Sequence, residues 1–126
     1  QAVSRQLLGL CFPQQGGLDH GPILDQIAKN LDPLACARRL RIIADTKDEP
    51  DWSRITCPVL VISPEDDRVV PRAATEAVLS NLPQAREVVI PGSGHLLRYT
   101  HPEIYYGHMN AFLAELDAMA AQPKAA

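Results

Sequence analysis

The chain of 126 residues contains only three cysteines, and no two of them form a Cys-x-x-Cys pair. The thiols are Cys11, Cys36 and Cys57, an odd number at wide spacings. This scarcity argues against a zinc site, which needs several closely spaced ligands. A reduced, cytoplasmic compartment is the expectation that fits such cysteine usage.

The sequence also lacks a long apolar run and an excess of positive charge. No stretch approaches the roughly 20 apolar residues that span a bilayer, and the N-terminus lacks the basic-then-apolar order of a signal peptide. The formal net charge of -3 favours neither nucleic acid nor an anionic membrane as a partner. The short basic cluster Arg38, Arg39 and Arg41 is predicted to be the solvated face of a helix.

Residues 1–50 have the character of helices joined by surface turns. One helix is predicted over Ser4–Cys11, where apolar residues recur at helical spacing, and a second from about Pro22 to Asn30. A third is expected to begin near Asp32-Pro33, because aspartate suits the N-cap and proline the first helical position. Its apolar residues are predicted to form one buried stripe: Leu34, Ala37, Leu40 and Ala44.

Residues 51–120 alternate between strand and helix patterns. The nearly continuous β-branched run Pro58–Ser63 is typical of a strand that is buried on both faces of a parallel sheet. A helix over Arg72–Leu82, a strand over Arg86–Ile90 and a last amphipathic helix follow. This order predicts a parallel βαβα unit, although two strands alone would leave sheet edges without partners. The alanine-rich tail, 121–126, is expected to fray.

Two loops follow the strands, at the edge where open α/β sheets carry their reactive groups. The first loop contains Asp66 and Asp67, and the second leads through a glycine-rich turn to His95. If the strands are neighbours, a carboxylate from the first loop can meet the imidazole of the second. Such a carboxylate fixes the tautomer of the ring and stabilises the imidazolium, so that His95 can act as a general base near neutral pH.

The two loops with their strands resemble the acid-bearing segment and the final histidine loop of the α/β-hydrolase superfamily. The matching stretches are Cys57–Pro71 and Val88–His95, and Asp32–Ala44 is similar to a segment of esterases of the aclacinomycin methylesterase kind. The resemblance implies an α/β fold: the C-terminal half of a hydrolase, with the last two strands of a parallel sheet and flanking helices. Residues 1–50 would be a helical lid and connection, 51–120 the core part and 121–126 a tail.

The resemblance also assigns roles to the residues of the two loops. By the motif of the family, Asp67 matches the acid and His95 the base of a catalytic triad, with Asp66 as the competing acid. Pro64 stands where the family usually has glycine, which leaves the geometry of the first loop open. No metal and no organic cofactor is implied.

The nucleophile of such a triad is absent from the sequence. None of the serines lies in a Gly-x-Ser-x-Gly pattern, and Cys11 lacks both a following glycine and a preceding strand. In the family order, the nucleophile and the oxyanion donors precede the acid. We therefore expect them ahead of Gln1, on an N-terminal half that is either a cleaved fragment or a separate partner chain.

The function expected from this resemblance is hydrolysis of a small apolar carboxylic ester by a serine of the N-terminal half. Apolar side chains of the lid segment could line the substrate pocket or simply form the core of the lid: Leu7, Leu8, Phe12, Ile23 and Ile27. One alternative is an aspartate nucleophile, as in epoxide hydrolases and haloalkane dehalogenases. Another is a non-catalytic binding module that docks through its exposed sheet edge.

Overall fold

A computed structural model describes residues 6, 9–12, 21–46 and 50–121. Half of the residues of the predicted helix over Ser4–Cys11 lie outside the described residues. In chain order the elements are α1 (Gly21–Asn30), α2 (Pro33–Asp45), a 3-10 turn (Trp52–Arg54), β1 (Val59–Pro64), α3 (Arg72–Asn81), β2 (Ala85–Ile90), α4 (Leu97–Thr100) and α5 (Pro102–Ala121).

The two strands β1 and β2 pair in parallel along their whole length. Val59 stands opposite Ala85 at one end, and Pro64 stands opposite Ile90 at the other. Helix α3 connects the two strands, and α5 follows them. The predicted fold class is therefore confirmed: an α/β unit with parallel strands and flanking helices.

Neighbouring residues of β2 anchor different helices, because successive side chains of a strand point to opposite faces of the sheet. The guanidinium of Arg86 lies 5.3 Å from the ring centre of Phe112 on α5 and bonds Glu115 at 2.6 Å. Glu87 accepts hydrogen bonds from Arg72, at the start of α3, and from the Ser63 hydroxyl. The hydrogen bonds from Arg72 and Ser63 hold the pKa of Glu87 below its usual range.

The core of the described residues is small. Its buried apolar members are Phe12, Leu82, Ile90 and Leu97. Strand β1 is only half-buried apart from Ser63, so the prediction of a strand buried on both faces is wrong for this chain. The physical reason is that, among the described residues, β1 pairs with β2 alone.

Helix α2 also departs from its predicted packing. Asp32 caps it as predicted, since the carboxylate accepts the backbone N–H of Leu34 at 2.9 Å. The predicted buried stripe is wrong, because Leu34 and Leu40 are 59% and 58% exposed. Ile42 and Ile43 are exposed as well, and no residue of α2 is buried among the described residues.

Helix α5 packs along one apolar stripe on the sheet side. The half-buried positions recur at helical spacing: Tyr105, Met109, Phe112 and Leu116. Ile104 and Leu113, which the pattern placed in the same set, are about half exposed at the margins of this stripe. No helix among the described residues is both long and apolar enough to cross a membrane.

Candidate active site

The register of the sheet brings two loops together at one edge. Pro64 ends β1 opposite Ile90, which ends β2, and parallel strands deliver their carboxyl ends to the same side. The acid loop, which we define as Glu65–Pro71, starts there beside the histidine loop, which we define as Pro91–His95. Pro64 still pairs at the strand end, so the proline in place of glycine does not prevent this arrangement.

Asp67 and His95 make direct contact across the two loops. The Oδ2 atom of Asp67 lies 3.0 Å from Nδ1 of His95, and the two side chains are 17% and 34% exposed. A neutral ring that donates its Nδ1–H to this carboxylate leaves Nε2 unprotonated. Within the described residues, Nε2 makes no hydrogen bond, so this nitrogen is available to accept a proton.

The second oxygen of Asp67 organises its own loop. Oδ1 accepts the backbone N–H of Val69 at 2.9 Å and that of Val70 at 2.8 Å. Aspartate forms such turns readily, because its short side chain reaches the amides two and three residues further along. The carboxylate is thus oriented from one side by the chain and presented to His95 on the other.

These contacts also determine the ionisation of Asp67. Burial on its own would raise the pKa of this carboxyl group. Hydrogen bonds from the Val70 amide, the His95 ring and the Val69 amide, together with the charge that His95 can carry, outweigh burial and hold the pKa below its usual value. Asp67 is therefore an ionised hydrogen-bond acceptor at neutral pH, as the orienting acid of a histidine base must be.

The backbone of the histidine loop is fixed at three points. Gly92 adopts a positive φ of 66°, which a glycine tolerates without strain. The fully buried hydroxyl of Ser93 donates to the carbonyl of Ile90 at 2.7 Å. After the loop, the N–H of Leu96 donates to the carbonyl of Cys11 at 2.9 Å, so the N-terminal segment supports the loop from outside the sheet.

Asp66, the competing acid, has a different role. Its backbone N–H donates to the carbonyl of Ser93 at 3.0 Å, whereas its exposed carboxylate makes no hydrogen bond or ion pair within the described residues. Of the other histidines, His101 contacts the hydroxyl of Thr100 at 2.8 Å, and His108 lies exposed on α5. His20 lies outside the described residues.

Cys11 lies near the acid and histidine loops but is poorly suited to nucleophilic attack. Burial raises the pKa of its thiol, and the negative charge of Asp67 raises it further. Because the thiolate is the reactive form of cysteine, the raised pKa lowers the reactive fraction of this thiol. Within the described residues, no group of three or more His, Cys, Asp or Glu side chains could hold a metal ion.

Sequence reasoning gave no role to Glu65, the first residue of the acid loop. Its carboxylate accepts the backbone N–H of Gly92 at 2.8 Å, across the gap between the two loops. The sequence contained one relevant signal, since a glycine-rich turn needs partners for the amides it exposes. Which acidic residue would supply the partner could not be read without the register of the strands.

Comparisons with known proteins point to one family. The sequence model of the alpha/beta hydrolase family matches residues 10–107. The putative carbamate hydrolase RutD of Escherichia coli strains K12 / DH10B, SE11 and K12 / MC4100 / BW2952 is 33% identical over 79 residues, which are 63% of this chain. The chain spans about 30% of the length of these relatives. No solved structure matches it with significance.

Proposed function

Because the chain belongs to the alpha/beta hydrolase family, we propose that it supplies the acid and the base of a serine hydrolase that cleaves carboxylic esters or related carbonyl substrates. The observation that carries this proposal is the 3.0 Å contact between Asp67 Oδ2 and His95 Nδ1. It joins the two loops that follow the paired strands, and it leaves the second ring nitrogen available for proton transfer.

In the proposed reaction, His95 moves one proton in each direction. A serine hydroxyl attacks the substrate carbonyl carbon while Nε2 of His95 accepts the hydroxyl proton, and the imidazolium forms beside the ionised Asp67. His95 then returns this proton to the departing alkoxide oxygen, and an acyl-serine remains. Water, deprotonated by His95, then attacks the acyl-serine. His95 returns this proton to the serine oxygen as the bond to the acyl carbon breaks, which releases the carboxylic acid and restores the serine hydroxyl.

The serine and the oxyanion donors belong to polypeptide outside residues 1–126 in this proposal. No Gly-x-Ser-x-Gly pattern is present in the sequence, and the surroundings of Cys11 keep its thiol protonated. We propose an N-terminal half as the partner, either as part of one longer protein or as a separate chain. The edge of β1 that has no partner among the described residues and the exposed face of α2 are consistent with further polypeptide packing there.

Residues 1–50 are proposed to belong to a lid that excludes water from a small apolar substrate. Phe12 is 5% exposed and follows Cys11, whose carbonyl bonds the residue after His95. The backbone next to Phe12 is therefore held close to the histidine loop. Of the other proposed lining residues, Ile27 is half-buried. Leu7, Leu8 and the side chain of Ile23 lie outside what the structure describes.

A carbonyl substrate is favoured over an epoxide or a haloalkane. The relatives at 33% identity are named as putative carbamate hydrolases, and a carbamate, like an ester, is cleaved at a carbonyl carbon. The aspartate-nucleophile alternative would use the same Asp67 and His95 to activate water, so the upstream sequence distinguishes the two directly. We therefore propose that this chain, too, takes part in cleavage at a carbonyl carbon.

The test uses the complete enzyme, that is, this chain together with the part that carries the nucleophile. Hydrolysis of a p-nitrophenyl ester is compared for His95→Ala and for the control His108→Ala, which removes an exposed histidine of α5. We expect His95→Ala to lower kcat about a million-fold and the control to leave it unchanged. Unaltered turnover in His95→Ala would reject the proposed role.

A further inference from the structure

The acid loop and the histidine loop are joined by more than the contact between Asp67 and His95. The N–H of Glu65 donates to the carbonyl of Ile90 at 3.2 Å, and that of Asp66 to the carbonyl of Ser93 at 3.0 Å. A third bond runs the other way, from the Gly92 N–H to the Glu65 carboxylate at 2.8 Å. Of these three hydrogen bonds, the first two join backbone atoms, whereas this one uses a side chain.

The position of this third bond makes Glu65 relevant to the geometry of His95. Gly92 stands at the positive-φ corner of the histidine loop, three residues before the imidazole. Glu65 stands two residues before Asp67. The bond therefore holds the corner of one loop against the start of the other, and the contact between Asp67 and His95 lies directly beyond it.

The chemistry of the bond suits a positioning role. The carboxylate oxygen of Glu65 accepts the backbone N–H of Gly92 at 2.8 Å, which is a typical length for a well-formed N–H···O hydrogen bond. Gly92 has no side chain to fix its turn, and an added Cβ would meet no atom within 4 Å. At Gly92 itself, therefore, no side-chain packing fixes the turn, and the hydrogen bond from its N–H is the contact that can do so.

We propose that Glu65 is a positioning residue: its carboxylate fixes the Gly92 corner of the histidine loop and thereby holds the His95 ring against Asp67. The inference rests on the proposed function, because a misplaced His95 ring slows catalysis only if His95 is the base of the reaction. Glu65 touches neither His95 nor the reacting atoms. Its effect passes through the backbone from Gly92 to His95.

The test separates the hydrogen bond from the charge with three variants of the complete enzyme. Glu65→Gln keeps an acceptor oxygen at the same reach but removes the charge. Glu65→Asp keeps the charge but is one methylene too short to reach Gly92, and Glu65→Ala removes both. Glu103→Gln and Glu103→Ala are the matched controls, because Glu103 is exposed in the first turn of α5 and has no hydrogen bond within the described residues.

Two readouts are measured on each variant. Turnover of the p-nitrophenyl ester gives kcat and KM, and nitrogen-15 NMR of the histidine rings reports which nitrogen of His95 carries the proton. We expect Glu65→Ala and Glu65→Asp to lower kcat about 10- to 100-fold, with little change in KM. In the same two variants the single Nδ1–H tautomer of His95 should give way to a mixture, whereas Glu65→Gln and the controls should behave as the wild type.

Two results would overturn the inference. One is a wild-type tautomer and wild-type kcat in Glu65→Ala. The other is a loss in Glu65→Gln as large as that in Glu65→Ala, since an acceptor oxygen at the same reach would then not be sufficient to hold the loop. The NMR readout needs no turnover, so failure of the proposed function, seen as full activity in His95→Ala, is recorded separately from failure of the Glu65 inference.

Discussion

The Nδ1 atom of His95 lies 3.0 Å from the Oδ2 atom of Asp67, although the two residues are 28 positions apart in the chain. The parallel register of the strands produces this proximity, because Pro64 and Ile90 end β1 and β2 side by side. Asp67 follows shortly after the first of these ends, and His95 shortly after the second. The acid loop turns on the Asp67 carboxylate itself, which accepts two backbone amides and so faces the ring.

The first prediction concerns pH and follows from the lowered pKa of Asp67. A carboxyl group whose folded-state pKa lies below its ordinary value of 3.8 stabilises the fold at pH values above 3.8. This stabilisation is lost as the pH falls through the folded-state pKa. The Asp67→Asn variant should therefore unfold more easily than the wild type at about pH 6, and the difference should shrink towards about pH 2.

Denaturant unfolding at several pH values measures this difference. We expect it to be on the order of 1 kcal/mol at most, because solvent screens a carboxylate that is only partly buried. Asp66→Asn is the matched control, since that carboxylate makes no hydrogen bond within the described residues, and it should cost less stability. A difference for Asp67→Asn that is the same at every pH would contradict the account.

The second prediction compares two glycines that should respond in opposite directions to the same change. Gly92 has a φ of 66°, so a Gly92→Ala substitution forces a side chain into the left-handed region at a cost of about 1–2 kcal/mol. Gly107 lies inside α5, where alanine is the better helix former by about 0.5–1 kcal/mol. An added Cβ meets no atom within 4 Å at either position, so steric clashes do not obscure the comparison.

Thermal unfolding of the two variants beside the wild type provides the measurement. Gly92→Ala should lower the midpoint, and Gly107→Ala should raise it or leave it unchanged. If Gly92→Ala proved as stable as the wild type, the positive φ at the corner of the histidine loop would not be required.

The sequence alone predicts those helices and strands whose formation depends on interactions between neighbouring residues. Asp32 and Pro33 identified the start of α2, and the side chain of Asp32 does cap the helix. The β-branched run after Cys57 identified β1 to within one residue of Val59–Pro64. In both cases the decisive interactions lie within a few neighbouring residues or in the intrinsic preference of the side chains.

Sequence patterns were poorer guides to features that depend on contacts with distant parts of the chain. The apolar spacing of Leu34 and Leu40 predicted a buried stripe, but the pattern alone does not say which surface covers it, and both side chains are exposed in this chain. The short helix α4 has four residues, too few for a periodic pattern. The bond between Glu65 and Gly92 depends on the strand register, a long-range property that spacing along the chain does not reveal.

The candidate active site could be predicted from the sequence in part. The acid and the histidine were predicted because each stands in a loop after a strand, where α/β sheets carry reactive groups. The choice between Asp66 and Asp67 rested on resemblance alone. In the structure it is the Asp67 carboxylate that reaches the ring, whereas Asp66 contacts the histidine loop through its backbone N–H.

A double-mutant cycle on the complete enzyme tests most directly whether Asp67 and His95 act as one unit. Ester hydrolysis is measured for the wild type, Asp67→Asn, His95→Ala and the double variant. Because Asp67 is proposed to act only through the imidazole, each single variant should lose at least about 1,000-fold in kcat, and the double variant should be no slower than His95→Ala. Losses that multiply in the double variant, or full turnover in Asp67→Asn, would contradict the account.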